Sequence, residues 1–206
     1  DLGYKWYETA YAEGAVITNT KTGETFDFND YDSIVAYPFG YGLSYTTFSQ
    51  EIVSASDEVT VHGTLEFEVK VTNTGDVSGK DAVQLYLSAP YTDYDKTHGV
   101  EKSAVSLCAI AKTEEIGPGE SQTIKLTVSA EDIASYDSSY KNADGTYGAY
   151  MLDAGDYEFI LGNNSHDAYD SVVASLDSDY FYSGDDKRKS DDVQASNQFD
   201  DATRGE

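Results

Sequence analysis

Cysteine, basic residues and long apolar runs are all scarce in this sequence, and each scarcity removes a class of function. Cys108 is the single cysteine among 206 residues, so neither an internal disulfide nor a zinc site built on several thiolates can form. A packing role is expected for it. Only 13 Lys and Arg stand against 38 Asp and Glu, a net charge of −25, and a field of that sign repels nucleic-acid phosphates and anionic membrane surfaces alike. The charge need mean no more than a well-solvated surface, and a neutral carbohydrate remains compatible with it. No stretch approaches the roughly 18 consecutive apolar residues that a membrane span needs, and the N-terminus has neither a basic start nor an apolar signal core. No repeat with a period of roughly 20–50 residues is visible, which argues against solenoids and propellers. The sequence opens on Asp1 rather than Met, so a leader or a larger preceding part is expected to be missing. Location is not determined, with the cytoplasm slightly favoured over secretion.

What the sequence does hold is aromatic: 18 Tyr and 8 Phe supply large areas for burial. Since a β-sandwich needs only about 100 residues, one core with substantial extras is expected. Residues 15–20 and 25–28 read as the arms of a hairpin around Lys21, Thr22, Gly23 and Glu24, a turn-forming set. The first 36 residues show no helical periodicity and are expected to be extended, leaning on another body. From Leu65 the pattern becomes clean. Leu65, Phe67, Val69 and Val71 alternate with Glu66, Glu68, Lys70 and Thr72, which puts the apolar groups on one face of a strand.

After the turn at residues 73–76, Val83, Leu85 and Leu87 resume the alternation with Gln84, Tyr86 and Ser88. Further strands are predicted at residues 104–112, around Ile124, Leu126 and Val128, at residues 157–162 and at residues 171–176. About seven short strands with turns between them argue for two packed antiparallel sheets. Residues 90–102 and 132–144 interrupt this spacing as loops, and residues 183–206 are polar, reading as a linker or a strap over another domain.

One segment exceeds what general patterning explains. Residues 37–48 read YPFGYGLSYTTF, with Phe39, Tyr41 and Tyr45 interleaved with Gly40 and Gly42. This closely resembles the segment that joins the α/β sandwich domain to the fibronectin type III-like domain in family-3 glycoside hydrolases. The resemblance continues in order through EVKVTNTGDVSGKDAVQLYLSAP, IGPGESQTIKLTVSAEDIASYD and AGDYEFILGNNSHD, covering about residues 37–167. Gly3, Tyr4, Lys5, Trp6 and Tyr7 are similar to a stretch near the end of the family's α/β domain, and VQASNQFDDATRGE resembles the connector of members in which the barrel comes last.

The resemblance implies a mainly β fold, a fibronectin type III-like (immunoglobulin-like) antiparallel β-sandwich, with an N-terminal extended segment belonging to an α/β domain outside this sequence. Residues 1–47 would be the end of that domain and the junction, residues 48–176 the sandwich, and residues 177–206 a polar linker toward a barrel. Members of the family cleave terminal β-linked sugars with retention, for which two carboxyl groups stand about 5–5.5 Å apart across the scissile bond. Neither parent motif occurs here, so no catalytic residue is transferred, and no metal or cofactor is expected. The implied partners are the barrel and α/β domains of the same enzyme and a β-linked oligosaccharide or glucoside. A homodimer is compatible with the sequence.

Candidate sites remain few. His62, His98 and His166 lie far apart near predicted turns, show no metal-ligand spacing, and are expected in solvent. The Asp-rich segments FDFNDYD and DSDYFYSGDD do not follow the EF-hand pattern and read as solvated loops. Asn163, Asn164 and Ser165 fit a glycosylation triplet. The loop at residues 89–102 holds Tyr91, Tyr94 and His98, which could stack on or hydrogen-bond a sugar if the loop projects toward a cleft, though aromatics serve interfaces equally well. Two functions follow: an accessory, non-catalytic part of a β-glucosidase-like enzyme, or a free-standing carbohydrate-binding or adhesion module. Residues 1–44 suit the first.

Overall fold

A computed structural model describes residues 3–197; the last residues of VQASNQFDDATRGE lie outside them. Helix α1 (Tyr4–Ala12), the hairpin β1 (Val16–Thr18) and β2 (Thr25–Asp27), and the single turn α2 (Tyr31–Ile34) come first. There follow β3 (Phe48–Ala55), β4 (Thr64–Asn73), β5 (Ala82–Ser88), α3 (Asp93–His98), β6 (Ser106–Lys112) and β7 (Ser121–Ser129). A 3-10 turn at Ala130–Ile133 leads to β8 (Ser135–Lys141), β9 (Tyr147–Leu152), β10 (Gly155–Gly162), β11 (Ala168–Leu176) and β12 (Tyr180–Tyr182).

Two antiparallel sheets, β3-β4-β7 and β11-β10-β5-β6, face each other as a sandwich. Their alternation supplies the core. Leu65, Phe67, Val69 and Val71 of β4 and Ile124, Leu126 and Val128 of β7 point inward, against Val83, Leu85 and Leu87 of β5 and Tyr157, Phe159 and Leu161 of β10. Phe67 and Phe159 meet across the gap with ring centroids 4.7 Å apart, within the range where aromatic pairs attract. The third sheet, β12-β9-β8, extends one end of the sandwich.

The predicted strands of the sandwich form, and the hairpin forms with Ile17 opposite Phe26. Other expectations need correction. The N-terminal part is not simply extended, because residues 4–12 are helical. This helix has no wide apolar stripe to betray it; it buries only Glu8 and Ala10 and is fixed by tertiary contacts, which override weak local periodicity. The two sandwich sheets hold seven strands, the number expected, but among the described residues five more strands form outside them. β8 lies within the stretch expected to be a loop, since SYDSSYK pairs with β9 at the edge of its sheet and an edge strand needs no apolar alternation. Residues 90–102 include helix α3, closed by a capping box between Thr92 and Asp95.

Candidate functional site

The junction segment is bolted to the outer face of the sandwich by backbone and polar side chains. Gln84 and Tyr86 of β5 point away from the core, yet both are buried because the junction covers them. Gln84 Nε2 donates to the Gly40 and Asn163 carbonyls, each at 3.1 Å. The Tyr86 hydroxyl donates to Gln84 Oε1 at 2.8 Å and lies 3.3 Å from Phe39 O. Gly40 sits at φ +85°, and a Cβ there would lie 2.1 Å from Gln84 Oε1. Only glycine satisfies both the positive φ and this close approach.

Helix α1 completes the joint through a buried carboxylate. Glu8, 3% exposed, accepts at Oε1 from the Tyr31 hydroxyl at 2.6 Å and from Ser165 Oγ at 2.7 Å, while Oε2 pairs with His166 Nδ1 at 3.0 Å. Tyr31 also stacks on His166, centroids 3.7 Å apart. Burial, then the hydrogen bond to Glu8, pushes the Tyr31 phenol well above its ordinary value. Glu8 thus ties α1, α2 and the β10–β11 turn to one point. Tyr4 reinforces the joint, its hydroxyl accepting from Leu107 N at 2.8 Å and its ring stacking on Phe39 at 4.1 Å.

Two of the histidines expected in solvent are therefore placed differently. His166 belongs to the Glu8 cluster. His62 is held between Glu131 at 2.7 Å and Asp186 at 2.9 Å, where Asp186 comes from the polar C-terminal segment. Lys189 N donates to the other oxygen of Glu131 at 2.7 Å, and the Arg188 guanidinium lies 3.3 Å from the Tyr150 ring centroid. Residues 186–189 thus lie as a strap over the end of the sandwich. The hydrogen bond to Glu131 raises the His62 pKa. Glu131 is held below its usual range, burial being outweighed by His62 and the Lys189 amide. Asp186 is lowered by Tyr180 and His62.

The loop at residues 89–102 is anchored from within. Lys102, 6% exposed at its side chain, meets Asp95 at 2.8 Å, Asp153 in a short contact and the Pro90 carbonyl at 2.8 Å, which uses all three ammonium donors. Burial pushes the Asp153 carboxyl up, against the pull of Lys102. On this frame the three candidate sugar-contact residues separate. Tyr94 and His98 stack on each other with centroids 3.9 Å apart, and the Tyr94 hydroxyl donates to Asp137 at 2.7 Å. Tyr91 stands apart, 52% exposed, on a cleft of about 550 Å³ between the loop and α1. Trp6 lines the same cleft; the sequence marked it only as part of a stretch similar to the family's α/β domain, not as a site residue, because its helix was not recognised. Cys108 packs against the core, its thiol pushed up to about 12 by burial. Among the described residues no group of three or more His, Cys, Asp or Glu side chains is arranged to hold a metal ion.

Residues 81–165 match the fibronectin type III-like domain family. The chain is 39% identical over 144 residues to a β-glucosidase of Ruminococcus albus, covering 70% of this chain and 14% of that protein. It is 41% identical over 145 residues to β-glucosidase A of Butyrivibrio fibrisolvens, covering 65% and 16%. Among solved structures, β-glucosidase 3B from Thermotoga neapolitana in complex with α-D-glucose superposes with a TM-score of 0.62 at 27% identity, over 89% of this chain and 20% of that one. A β-glucosidase from Paenibacillus barengoltzii gives 0.61 at 31% identity, over 87% and 17%. The chain therefore spans about a sixth of the length of these two curated relatives. By sequence, domain match and fold, it belongs with the family-3 glycoside hydrolases, as the stretch of them that contains the fibronectin type III-like domain.

Proposed function

We propose that this stretch braces the catalytic domains of a retaining, exo-acting β-glucosidase-like enzyme that hydrolyses terminal β-linked sugars, and that it contributes no catalytic group itself. The observation behind this reading is the junction. Its backbone is fixed to the sandwich through Phe39 and Gly40, while Tyr37, Tyr41, Leu43 and Tyr45 stay exposed, Leu43 at 89% and Tyr45 fully. Apolar groups clustered on a rigid surface and left in water mark an interaction surface. The names of the relatives support the activity of the larger enzyme, and the small share of them that this chain spans supports a partner within the same polypeptide. A free-standing carbohydrate-binding or adhesion module leaves this face unexplained.

Replacing Tyr41, Leu43 and Tyr45 together by Ser in the whole enzyme tests the brace. The expected result is a thermal midpoint lowered by at least about 4 °C together with reduced aryl-glucoside turnover, while the same replacements leave the midpoint of the 206-residue chain nearly unchanged. An unchanged midpoint in the whole enzyme would overturn the reading.

A further inference from the structure

The cleft between α1 and the β5–β6 connection is not used by the bracing surface and has features of its own. Two aromatic rings flank it, Trp6 from α1 and Tyr91 from the loop, 40% and 52% exposed. Trp6 packs edge-on against the buried Phe28, centroids 5.3 Å apart, and Tyr91 stands beside the Lys102 anchor with Lys96 Nζ 5.7 Å from its ring centroid. Between them the floor is made of small side chains, Ala10, Ala15, Ala89 and Ala104 among them, so backbone and rings define the shape. Its volume of about 550 Å³ lies within the roughly 300–1,000 Å³ of small-molecule sites.

The polar groups narrow the ligand class. Glu13 and Glu101 line the cleft, and among the described residues neither carboxylate forms a hydrogen bond or an ion pair. The Lys102 ammonium nearby is already neutralised by Asp95 and Asp153. An anion is therefore repelled. A ligand with an apolar face and several hydroxyl donors satisfies both parts of the lining, its C–H face against the rings and its hydroxyls on carboxylates that can only accept.

We infer that this cleft is a binding site for a neutral β-linked disaccharide, with Trp6 and Tyr91 as stacking faces and Glu13 and Glu101 as acceptors for sugar hydroxyls. The choice of a β-linked glucoside rests on the glycosidase reading above; the site itself rests on the cleft. Such a site holds sugar near the enzyme without cleaving it.

Trp6 is the single tryptophan of the chain, so its fluorescence reports on the cleft alone. The experiment is a titration of the 206-residue chain with cellobiose and, separately, laminaribiose, with choline chloride as a cationic control. The expected result is a saturable change in Trp6 emission with half-saturation on the order of 1–10 mM for at least one disaccharide and none for choline. Tyr91→Ala should raise the half-saturation by about tenfold, and Glu101→Gln by about threefold, both with an unchanged circular dichroism spectrum. No saturable response to either disaccharide, an equal response in Tyr91→Ala, or saturation by choline instead would overturn the inference. Since this readout involves neither the junction nor catalysis, its failure is distinguishable from failure of the brace.

Discussion

The interior of the sandwich and the joint at its N-terminal side are held by different physics. Between the sheets, Phe67, Val69, Leu85 and Phe159 are fully or almost fully buried and touch other apolar groups. At the joint, polar Glu8, Gln84 and Ser165 are buried alongside Phe28, Tyr31 and Tyr86 and joined by hydrogen bonds, while many of the other aromatic rings remain in water. Apolar burial is non-directional and fixes a fold by area. A hydrogen-bonded carboxylate fixes direction, because each oxygen accepts along particular lines. The sandwich is thus built to be stable, and the joint to hold α1 and the junction at one orientation.

Breaking the sandwich side should cost the most. Phe67→Ala removes a ring packed against Phe159, and a loss of about 3–5 kcal/mol is expected in urea unfolding, shared by the whole cooperative transition. The joint should respond more locally. Glu8→Ala leaves Tyr31, Ser165 and His166 without their common acceptor, at a cost of about 1.5–3 kcal/mol for a charged hydrogen-bonded group. Hydrogen exchange should then show lost protection in α1, β1 and β2 while β4, β5, β7 and β10 keep theirs. Uniform loss across both regions would show that the joint and the sandwich unfold as one unit.

The strap offers a finer test, because its polar contacts titrate. The His62 pKa is raised above 6.5, so its contribution is complete below 6.5 and is lost as pH rises through the raised value. Glu131 and Asp186 lie below 4.5 and 3.8, so theirs is present above those values and lost as pH falls through the lowered ones. Exchange protection of β12 should therefore be greatest between about pH 4.5 and 6.5 and fall on either side. His62→Gln should abolish the alkaline fall and leave the acid one. A flat profile through the alkaline range in the unmodified chain would show that His62 does not hold the strap.

Much of the sandwich was legible because it obeys a two-residue period. Leu65 to Val71 and Ile124 to Val128 each expose one polar face, and the alternation reports it directly. β5 was legible as a strand but not as one buried on both faces, since Gln84 and Tyr86 look like solvent-facing residues until the junction covers them. β3, β8, β9 and β12 gave little signal for related reasons. β3 and β8 are edge strands with polar residues, and β12 spans three residues.

Of the candidate site, Tyr91 was legible as an exposed loop aromatic. Its partner Trp6 was not, because α1 lacks an apolar face and its position depends on Glu8 contacting residues more than 150 positions away in sequence. His166 was misread for the same reason. Gly40 and Gly42 carried a local signal, and the close approach of Gly40 to Gln84 explains the first of them.

Under the proposed function, the 206-residue chain supports a glycosidase without performing its chemistry. Incubating the purified 206-residue chain with an aryl β-glucoside tests it most directly. No hydrolysis above the buffer rate is expected, and turnover that persists through successive purification steps would place catalytic groups within this chain and overturn the proposed function.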